Sequence, residues 1–482
     1  MTPRKAPVCV VLLLAAIGGG LLDRIPLHKP SSASGVARVP TMPLAAPPTS
    51  LSSTWFCAGA TAVADGADVG EGLKVAATGT LLVANAGDRE LKGTVTIVPS
   101  EGEAKVYPLT VGPRARTAVN ELDLVTAPFV AAMVELDGGD VVVEQQVDGA
   151  LGLSTAPCAS SANDRWYFAA GSTARDDRML LTLFNPFPED AIVDLSFATD
   201  DGRTVPSDFT GLVVKGGRLR VVNVGDHVRR DVNVAVTAVA RTGRIVLNRL
   251  QVRAGPVKSL SLALAAPSAG ATWYFPEGLV TNGMTERFHL YNPTSREAQV
   301  TIELALESGS AEPFDLTVPA GERLTLTAND EERIPKDVGH GATVRSLNGV
   351  PVVAERTIVA TAPAARIGGS DTLGTRAAAR QWVFASGAAS DTFDEWIVVL
   401  NPGARAATVS LQALAGGQLL AIEGLQSVSV PAGRRVAVRL TDHVKRDDLP
   451  LLVRSTKPVV VERGLYRVGG LGLAVSAGIP LR

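Results

Sequence analysis

The chain has 482 residues, enough for three or four domains at roughly 100–200 residues each. Lys and Arg total 46 against 48 Asp and Glu, a formal charge of −2 that excludes a broad nucleic-acid surface and a strongly acidic tail. Hydrophobic residues at 46% and charged residues at 20% exclude wholesale disorder, while five His and three Cys leave little material for metal or thiol chemistry.

Residues 1–25 read as an export segment. Arg4 and Lys5 precede an apolar run from Val8 to Leu22, closed by Asp23 and Arg24, which is the pattern that engages a translocon. The run is shorter than the ~20 residues that span a bilayer comfortably, which favours a cleaved signal peptide. Small-x-small cleavage sites are poor, however: Ala16-Ile17-Gly18 lies inside the run and Ser32-Ala33-Ser34 well past its end. The expectation is an uncleaved signal-anchor helix with the N-terminus in the cytoplasm and the rest extracytoplasmic, or a secreted chain if cleaved. Residues 26–53 are rich in Pro, Ser, Ala and Thr and read as a spacer.

A repeat organises the remainder. Trp55, Trp166, Trp273 and Trp382 are spaced by 111, 107 and 109 residues, and each opens a related phrase: Trp55-Phe56-Cys57, Trp166-Tyr167-Phe168, Trp273-Tyr274-Phe275 and Trp382-Val383-Phe384. Nineteen residues after each of the last three comes Asn185-Pro186, Asn292-Pro293 or Asn401-Pro402; the first module has Asn85-Ala86, after an insertion. Near each module's end stands a polar pair in an apolar strand: Glu144-Gln145, Asn248-Arg249, Glu355-Arg356 and Glu462-Arg463. Ordered landmarks recurring four times define modules over residues 54–158, 166–266, 273–373 and 382–482.

The modules read as β. Val300, Ile302, Leu304 and Leu306 alternate with Thr301, Glu303, Ala305 and Glu307, a period of two, and turn signals follow every eight to twelve residues. Seven or eight strands in about 108 residues is the size of an immunoglobulin-like sandwich. The expected fold class is therefore all-β, a tandem array of four such sandwiches stacked closely as a stiff rod or arc. A propeller with two blades per module is the alternative, but it would favour a Trp phrase about every fifty residues.

The landmarks have structural roles to exhaust before functional ones. Each Trp plugs a core end or seals a module junction, with a ligand platform as the alternative; Asn-Pro ends a strand. The Glu-Arg pairs place opposite charges on opposite faces of one strand, one member reaching outward and the other satisfied at a module contact, unless they are binding groups. Cys57 and Cys158 bracket module 1 and, in an oxidising compartment, form a disulfide.

Catalytic constellations are absent: there is no G-x-S-x-G elbow, H-E-x-x-H helix, Walker-type loop or dinucleotide-binding glycine motif. Ser370 in Gly368-Gly369-Ser370-Asp371 lacks the second Gly of an elbow. His227 and His443 sit at one repeat position and read as a recurring turn. Asp391, Asp394 and Glu395, like Asp176-Asp177, are oxygen donors of the kind Ca²⁺ takes, but Asn282-Gly283 and Glu286 in module 3 argue against a shared metal site. No cofactor and no catalytic residue is expected.

The Trp-Tyr-Phe-x-x-Gly openings, Asn-Pro, the Pro-Ala-Gly turns at Pro319 and Pro431, and Glu-Arg resemble modules of the actinobacterial domain-of-unknown-function family 5719. The resemblance covers Trp55 to Arg482 and implies a cell-envelope location, with no functional residues to carry over. The expected function is a non-catalytic extracytoplasmic scaffold or binding array whose partner is an envelope protein or cell-wall glycan, held to the membrane through its N-terminal segment. The alternatives are a glycan-binding adhesin-like protein and, behind it, a cell-wall polymer hydrolase or transferase.

Overall fold

The computed structural model describes residues 43–64 and 66–482; the expected export segment 1–25 and most of the expected spacer 26–53 lie outside them. The described residues are all-β, strands joined by turns and single-turn 3-10 helices. No helix among them is long and apolar enough to cross a membrane.

One strand plan recurs four times, with eight strands in modules 1 and 3 and the fourth strand split in modules 2 (Gly202–Thr204, Leu212–Val214) and 4 (Gln418–Ala421, Val428–Val430). In module 1 it comprises β1 Ser53–Ala62, β2 Thr78–Asn85, β3 Leu91–Pro99, β4 Lys105–Val111, β5 Ala115–Asn120, β6 Ala127–Leu136, β7 Val141–Gly149 and β8 Gly152–Pro157. Antiparallel ladders give one sheet ordered β4-β3-β6-β1 and another ordered β5-β2-β7-β8. The later modules open with Arg165–Phe168, Thr272–Phe275 and Ala379–Phe384, and their eighth strands are Lys258–Leu264, Gly368–Leu373 and Leu473–Ala477. In module 4 the long strand Leu451–Arg467 serves both sheets.

This pairing departs from the immunoglobulin plan. There the first two strands are antiparallel neighbours in one sheet, whereas β1 pairs with β6 and β2 with β5 and β7, the two touching only at the parallel pair Thr61–Thr78. The sheets also pack differently from a row of separate sandwiches. Trp166 and Phe168 point into their own module while Tyr167 joins the core of module 3. Trp273 and Phe275 do the same in module 3 with Tyr274 packed on module 4, and Val383 turns from module 4 toward module 1. Successive residues of a strand face opposite ways, so the opening phrase ties one module to the next. The inner part of each first-strand sheet is thereby covered on both faces, which accounts for unbroken apolar runs such as Phe129-Val130-Ala131-Ala132.

The result is a closed, propeller-like ring in place of the expected rod or arc. Its eighth strands meet at the centre, where Ser154 Oγ accepts from the Leu262 amide at 2.9 Å, Ser261 Oγ from Asp371 at 2.9 Å and Ser370 Oγ from Val475 at 3.0 Å. Leu153 and Ala474 pack together where the last module meets the first. That closure is reinforced by Arg467–Asp148 at 2.6 Å and Arg116–Asp448 at 3.0 Å. Residues 43–52, the described end of the expected spacer, run along the same seam: the buried Ala45 donates to Pro480 O at 3.1 Å and Ala46 O accepts from Asp140 at 2.9 Å. The Trp phrase marks only one of the two sheets in each module, so the fifty-residue spacing that would have favoured a propeller never arises.

Every landmark is structural. The four Trp are at most 1% exposed, and Trp166, Trp273 and Trp382 donate Nε1–H to the carbonyls of Ile245, Val352 and Val459. Asn85, Asn185, Asn292 and Asn401 end the second strands with their side chains buried. Their amides donate to Arg89, Glu189, Arg296 and Arg405 carbonyls at 2.7–2.8 Å, and each Oδ1 accepts from the amide two residues on. Ala86 keeps an amide that donates to Asp140 O at 2.8 Å, a bond that Pro186, Pro293 and Pro402 have no N–H to make. Cys57 and Cys158 form a disulfide with Cα atoms 4.7 Å apart.

The polar pairs fasten the junctions, and neither member reaches outward. Arg249 meets Glu355 at 3.0 Å, Arg356 meets Glu462 at 3.2 Å and Arg463 meets Glu144 at 3.4 Å, every one of these side chains at most 1% exposed. Each Glu also accepts from a backbone amide of the preceding module: Ala170 at 2.6 Å, Glu277 at 2.8 Å and Ser386 at 2.6 Å. The carbonyl of that same residue accepts from the Arg. The guanidinium lies over Phe168, Phe275 or Phe384 at 4.5–5.4 Å. Between modules 1 and 2 the corresponding residues are Gln145, Asn248 and Cys57, a wholly neutral set.

Removing one member of a buried ion pair strands the other and costs about 3–5 kcal/mol, whereas replacing both is far milder. Arg463→Gln is therefore expected to lower unfolding free energy by about that amount in chemical denaturation. Glu144→Asn with Arg463→Gln copies the neutral junction and is expected to recover most of the loss. An equal loss in the double variant would show that the stranded charge is not the cause.

Candidate functional site

Clefts open where one module's loops overhang the next module's sheet. Between modules 2 and 3, residues 171–177 and the hairpin around Gly255 overhang Arg287, His289, Thr325, Thr327 and Thr357, enclosing ≈ 610 Å³. Between modules 3 and 4, residues 277–284 and the hairpin at 363–366 overhang Trp396, Arg435 and Ala437, enclosing ≈ 630 Å³. Between modules 1 and 2 the corresponding loop is the insertion of module 1. Gly72 O accepts from Arg178 Nε at 3.2 Å, and Leu180 is fully buried.

The floor of the cleft between modules 2 and 3 is a continuous polar network. Arg253 grips Asp371 with two bonds of 2.9 and 3.1 Å, and Thr357 Oγ1 donates to Asp371 at 2.7 Å. His289 Nε2 stands 3.1 Å from Thr357 Oγ1, and its Nδ1 lies 3.2 Å from Arg323 Nη2. Because the Thr357 proton goes to Asp371, its oxygen is left to accept Nε2–H, and Nδ1 accepts from Arg323. Burial and the Arg323 charge hold the His289 pKa well below its ordinary value, so the ring is neutral. Burial would raise Asp371, but Arg253 and Arg249 outweigh it and hold the carboxyl well below the usual carboxylate range. Arg323 is in turn paired with Asp200. On the overhanging loop, burial raises the Asp177 pKa although Ser172 Oγ lies 2.5 Å from its carboxylate.

The acids singled out from the sequence do not converge. Asp394 is bonded to Arg439 at 2.8 Å, Thr441 at 3.0 Å and Trp396 Nε1 at 3.0 Å, and Asp391 to Lys445 at 2.6 Å. Among the described residues no group of three or more His, Cys, Asp and Glu could hold a metal ion. His227 packs on Phe209 with centroids 4.6 Å apart, and His443 Nδ1 lies 2.9 Å from Glu423 O, both after a 3-10 turn. Ser370 belongs to the central strands, its hydroxyl bonded to Val475. The cleft residues Arg253, Arg287, His289 and Thr357 escaped the sequence reading because each stands among other polar residues of its strand and matches no catalytic or metal-binding spacing. The available signal was Val246–Ala254, whose polar residues fall on both faces, as an isolated half-buried strand's would not.

The chain belongs to the family of unknown function DUF5719, which matches residues 135–248 and 246–470. Among solved structures it is similar to the crystal structure of Thermotoga maritima 1070, at 21% identity and a TM-score of 0.21, over 22% of this chain and 94% of that one. It is also similar to a tetra-tandem repeat in the extending region of a large adhesion protein, at 13% identity and a TM-score of 0.11, over 82% of this chain and 93% of that one. No curated protein matches the chain.

Behind the clefts lies a recurring buried carboxyl. Glu286 lies 2.8 Å from His340 Nε2 with both side chains fully buried, and Glu395, one repeat later, is likewise fully buried, with the Ala388 amide beside it. Module 1 has Gly79 at this position, where a Cβ would fall 1.7 Å from the buried Glu121 carboxylate, so Glu121 fills the space from another strand. Burial pushes Glu395 up to about 8 against the pull of Arg463, and Glu121 up to about 8 against its bond to Gln145. A carboxyl raised in the folded state contributes most stability below its unfolded value and loses it as pH rises toward the folded value. Stability is thus expected to fall between about pH 4.5 and 8 on account of these groups, and Glu395→Gln should flatten the slope. Melting curves across that window with parallel wild-type and Glu395→Gln slopes would overturn the assignment.

Proposed function

We propose that this member of the family is a non-catalytic extracytoplasmic binding or scaffold protein of the cell envelope, exported or anchored through residues 1–25. Its four modules form a rigid frame whose inter-module clefts receive the partner. The carrying observation is a fixed frame with a variable floor. Five residues before the Asn that ends each second strand stand Thr80, Leu180, Arg287 and Trp396, while the surrounding Trp, Asn and Glu-Arg landmarks are repeated. Loops and rims on a rigid scaffold are where binding differences accumulate. The Cys57–Cys158 disulfide supports the extracytoplasmic location.

Trp396 favours glycan binding as the second reading. It is the one Trp outside the repeat signature, half-buried in a concave cleft with Arg366 4.8 Å from its ring centroid. An aromatic face beside polar groups suits a sugar ring, which presents C–H and hydroxyl faces together. Glycoside hydrolysis, in contrast, requires two carboxylates facing each other across the scissile bond. In the cleft between modules 2 and 3, Asp176 and Asp177 share one loop and face a guanidinium and threonine hydroxyls.

The full chain, with its disulfide intact, is to be tested for retention on purified cell-wall glycan and for a defined complex with a solubilised envelope protein. Glycan retention competed by a defined sugar and lost in Trp396→Ala supports the second reading. A stoichiometric protein complex without glycan retention supports a scaffold. Neither would sink both.

A further inference from the structure

We propose that the cleft between modules 2 and 3 binds a hydroxylated monoanion, a sugar carrying one carboxylate or phosphate, with Arg287 as its anion-binding group. The proposal rests on the binding reading above and names a ligand class for one of its clefts.

Arg287 projects into the cleft from Met284–Tyr291. Its guanidinium has no hydrogen bond or ion pair among the described residues, whereas Arg253 and Arg323 at the same floor and Arg366 and Arg435 in the next cleft each have one. Burial and the nearby Arg253 charge lower its pKa, with Asp330 only partly opposing them. A half-buried cation without a partner is unfavourable, and an anion placed against it restores two parallel charge-assisted bonds that the planar fork is shaped to give.

Arg253 cannot fill that role itself, because its guanidinium is committed to Asp371 and Ser259 Oγ. Its charge still adds to the positive potential at the floor. The opposite wall sets the rest of the ligand. Asp176 and Asp177 line the loop side and would repel a second negative group, but as acceptors they suit hydroxyl donors. Thr327 offers a hydroxyl on the floor, where Thr325 Oγ1 is already bonded to Arg323 and His289, and Val232, Pro256 and Val359 supply apolar wall. A volume of ≈ 610 Å³ admits a ligand of sugar size. The corresponding residues in the other modules are Thr80, Leu180 and Trp396, so anion binding is confined to this junction.

The test is titration calorimetry of the full chain with glucuronate, glucose 1-phosphate, inorganic phosphate and glucose. Either anionic sugar is expected to bind more tightly than both glucose and inorganic phosphate, and which of the two binds identifies carboxylate or phosphate as the anion. Arg287→Gln is expected to weaken that binding by about ten- to a hundredfold, the worth of a charge-assisted pair, with its melting temperature unchanged. Arg380→Gln, exposed on module 4, should bind as the wild type does. Absence of binding by all probes, equal binding of glucose, or wild-type affinity in Arg287→Gln would overturn the proposal. A glycan or protein partner retained by the full chain in the preceding experiment would leave the general reading standing even then.

Discussion

The ring depends on a charge pair that water never reaches. Placing a guanidinium and a carboxylate in the interior costs several kcal/mol per ion, and their attraction offsets this only when the remaining donors and acceptors are also satisfied. Here the Arg reaches a carbonyl and the Glu accepts the amide of the same residue, so one peptide unit is held from both sides. An aromatic face lies beneath the cation. Even so, burial keeps the Glu355 and Glu462 pKa values raised against the pull of their arginines. The pair also has a direction. Glu looks to the preceding module and Arg to the following one, so modules join in a single sense and the fourth returns to the first.

The first junction shows that these parts form a unit. Losing the Arg would strand the Glu and leave the Phe with no cation above it, and losing the Glu would strand the Arg. In the chain all three are replaced together, as Gln145, Asn248 and Cys57. The site that elsewhere holds an aromatic ring holds instead one end of a covalent bond between β1 and the segment just past β8. The chain-entropy account gives such a cross-link, over a sequence separation of 101, roughly 4–5 kcal/mol. That is enough to stand in for a charge pair that this junction lacks. Glu121 and Gly79 repeat the lesson on a smaller scale: the buried carboxyl is kept while the strand that supplies it changes.

Much of this was legible in the residues. Four repeats, their β character, the structural role of Trp and Asn, and the disulfide all follow from spacing and side-chain chemistry. The Glu-Arg pairs were readable as opposite charges on opposite strand faces, which is the geometry found. Their complete burial was not, because alternation reports that two faces differ and not what lies against each. A sheet in a sandwich has one face against solvent along its whole width, whereas a sheet in this ring keeps solvent only toward its outer strands, such as Lys105–Val111. Tyr167 and Tyr274 carry that information, since a large aromatic between two core residues marks a second buried face, but one residue cannot say which surface covers it. The strand order was also hidden. Eight strands with similar turns permit the last hairpin to join either sheet, and only long-range pairing decides.

The clefts follow from the same geometry, with a different outcome for their residues. Where two sheets pack face to face, volume and charge must match closely, and the landmarks are repeated. At the rim, loops overhang rather than pack, so a floor residue there is less tightly matched to the facing module. Four equivalent positions are accordingly occupied by Thr80, Leu180, Arg287 and Trp396, chemically unrelated residues on one backbone plan. At the first junction the inserted loop of module 1 meets Arg178 beside the buried Leu180. At the second and third, the cleft stays open over a cation and an indole. A fold under pressure for stability alone would close them alike. That two remain open, one over a guanidinium with no partner among the described residues, is what turns the proposed binding toward the junctions rather than the modules.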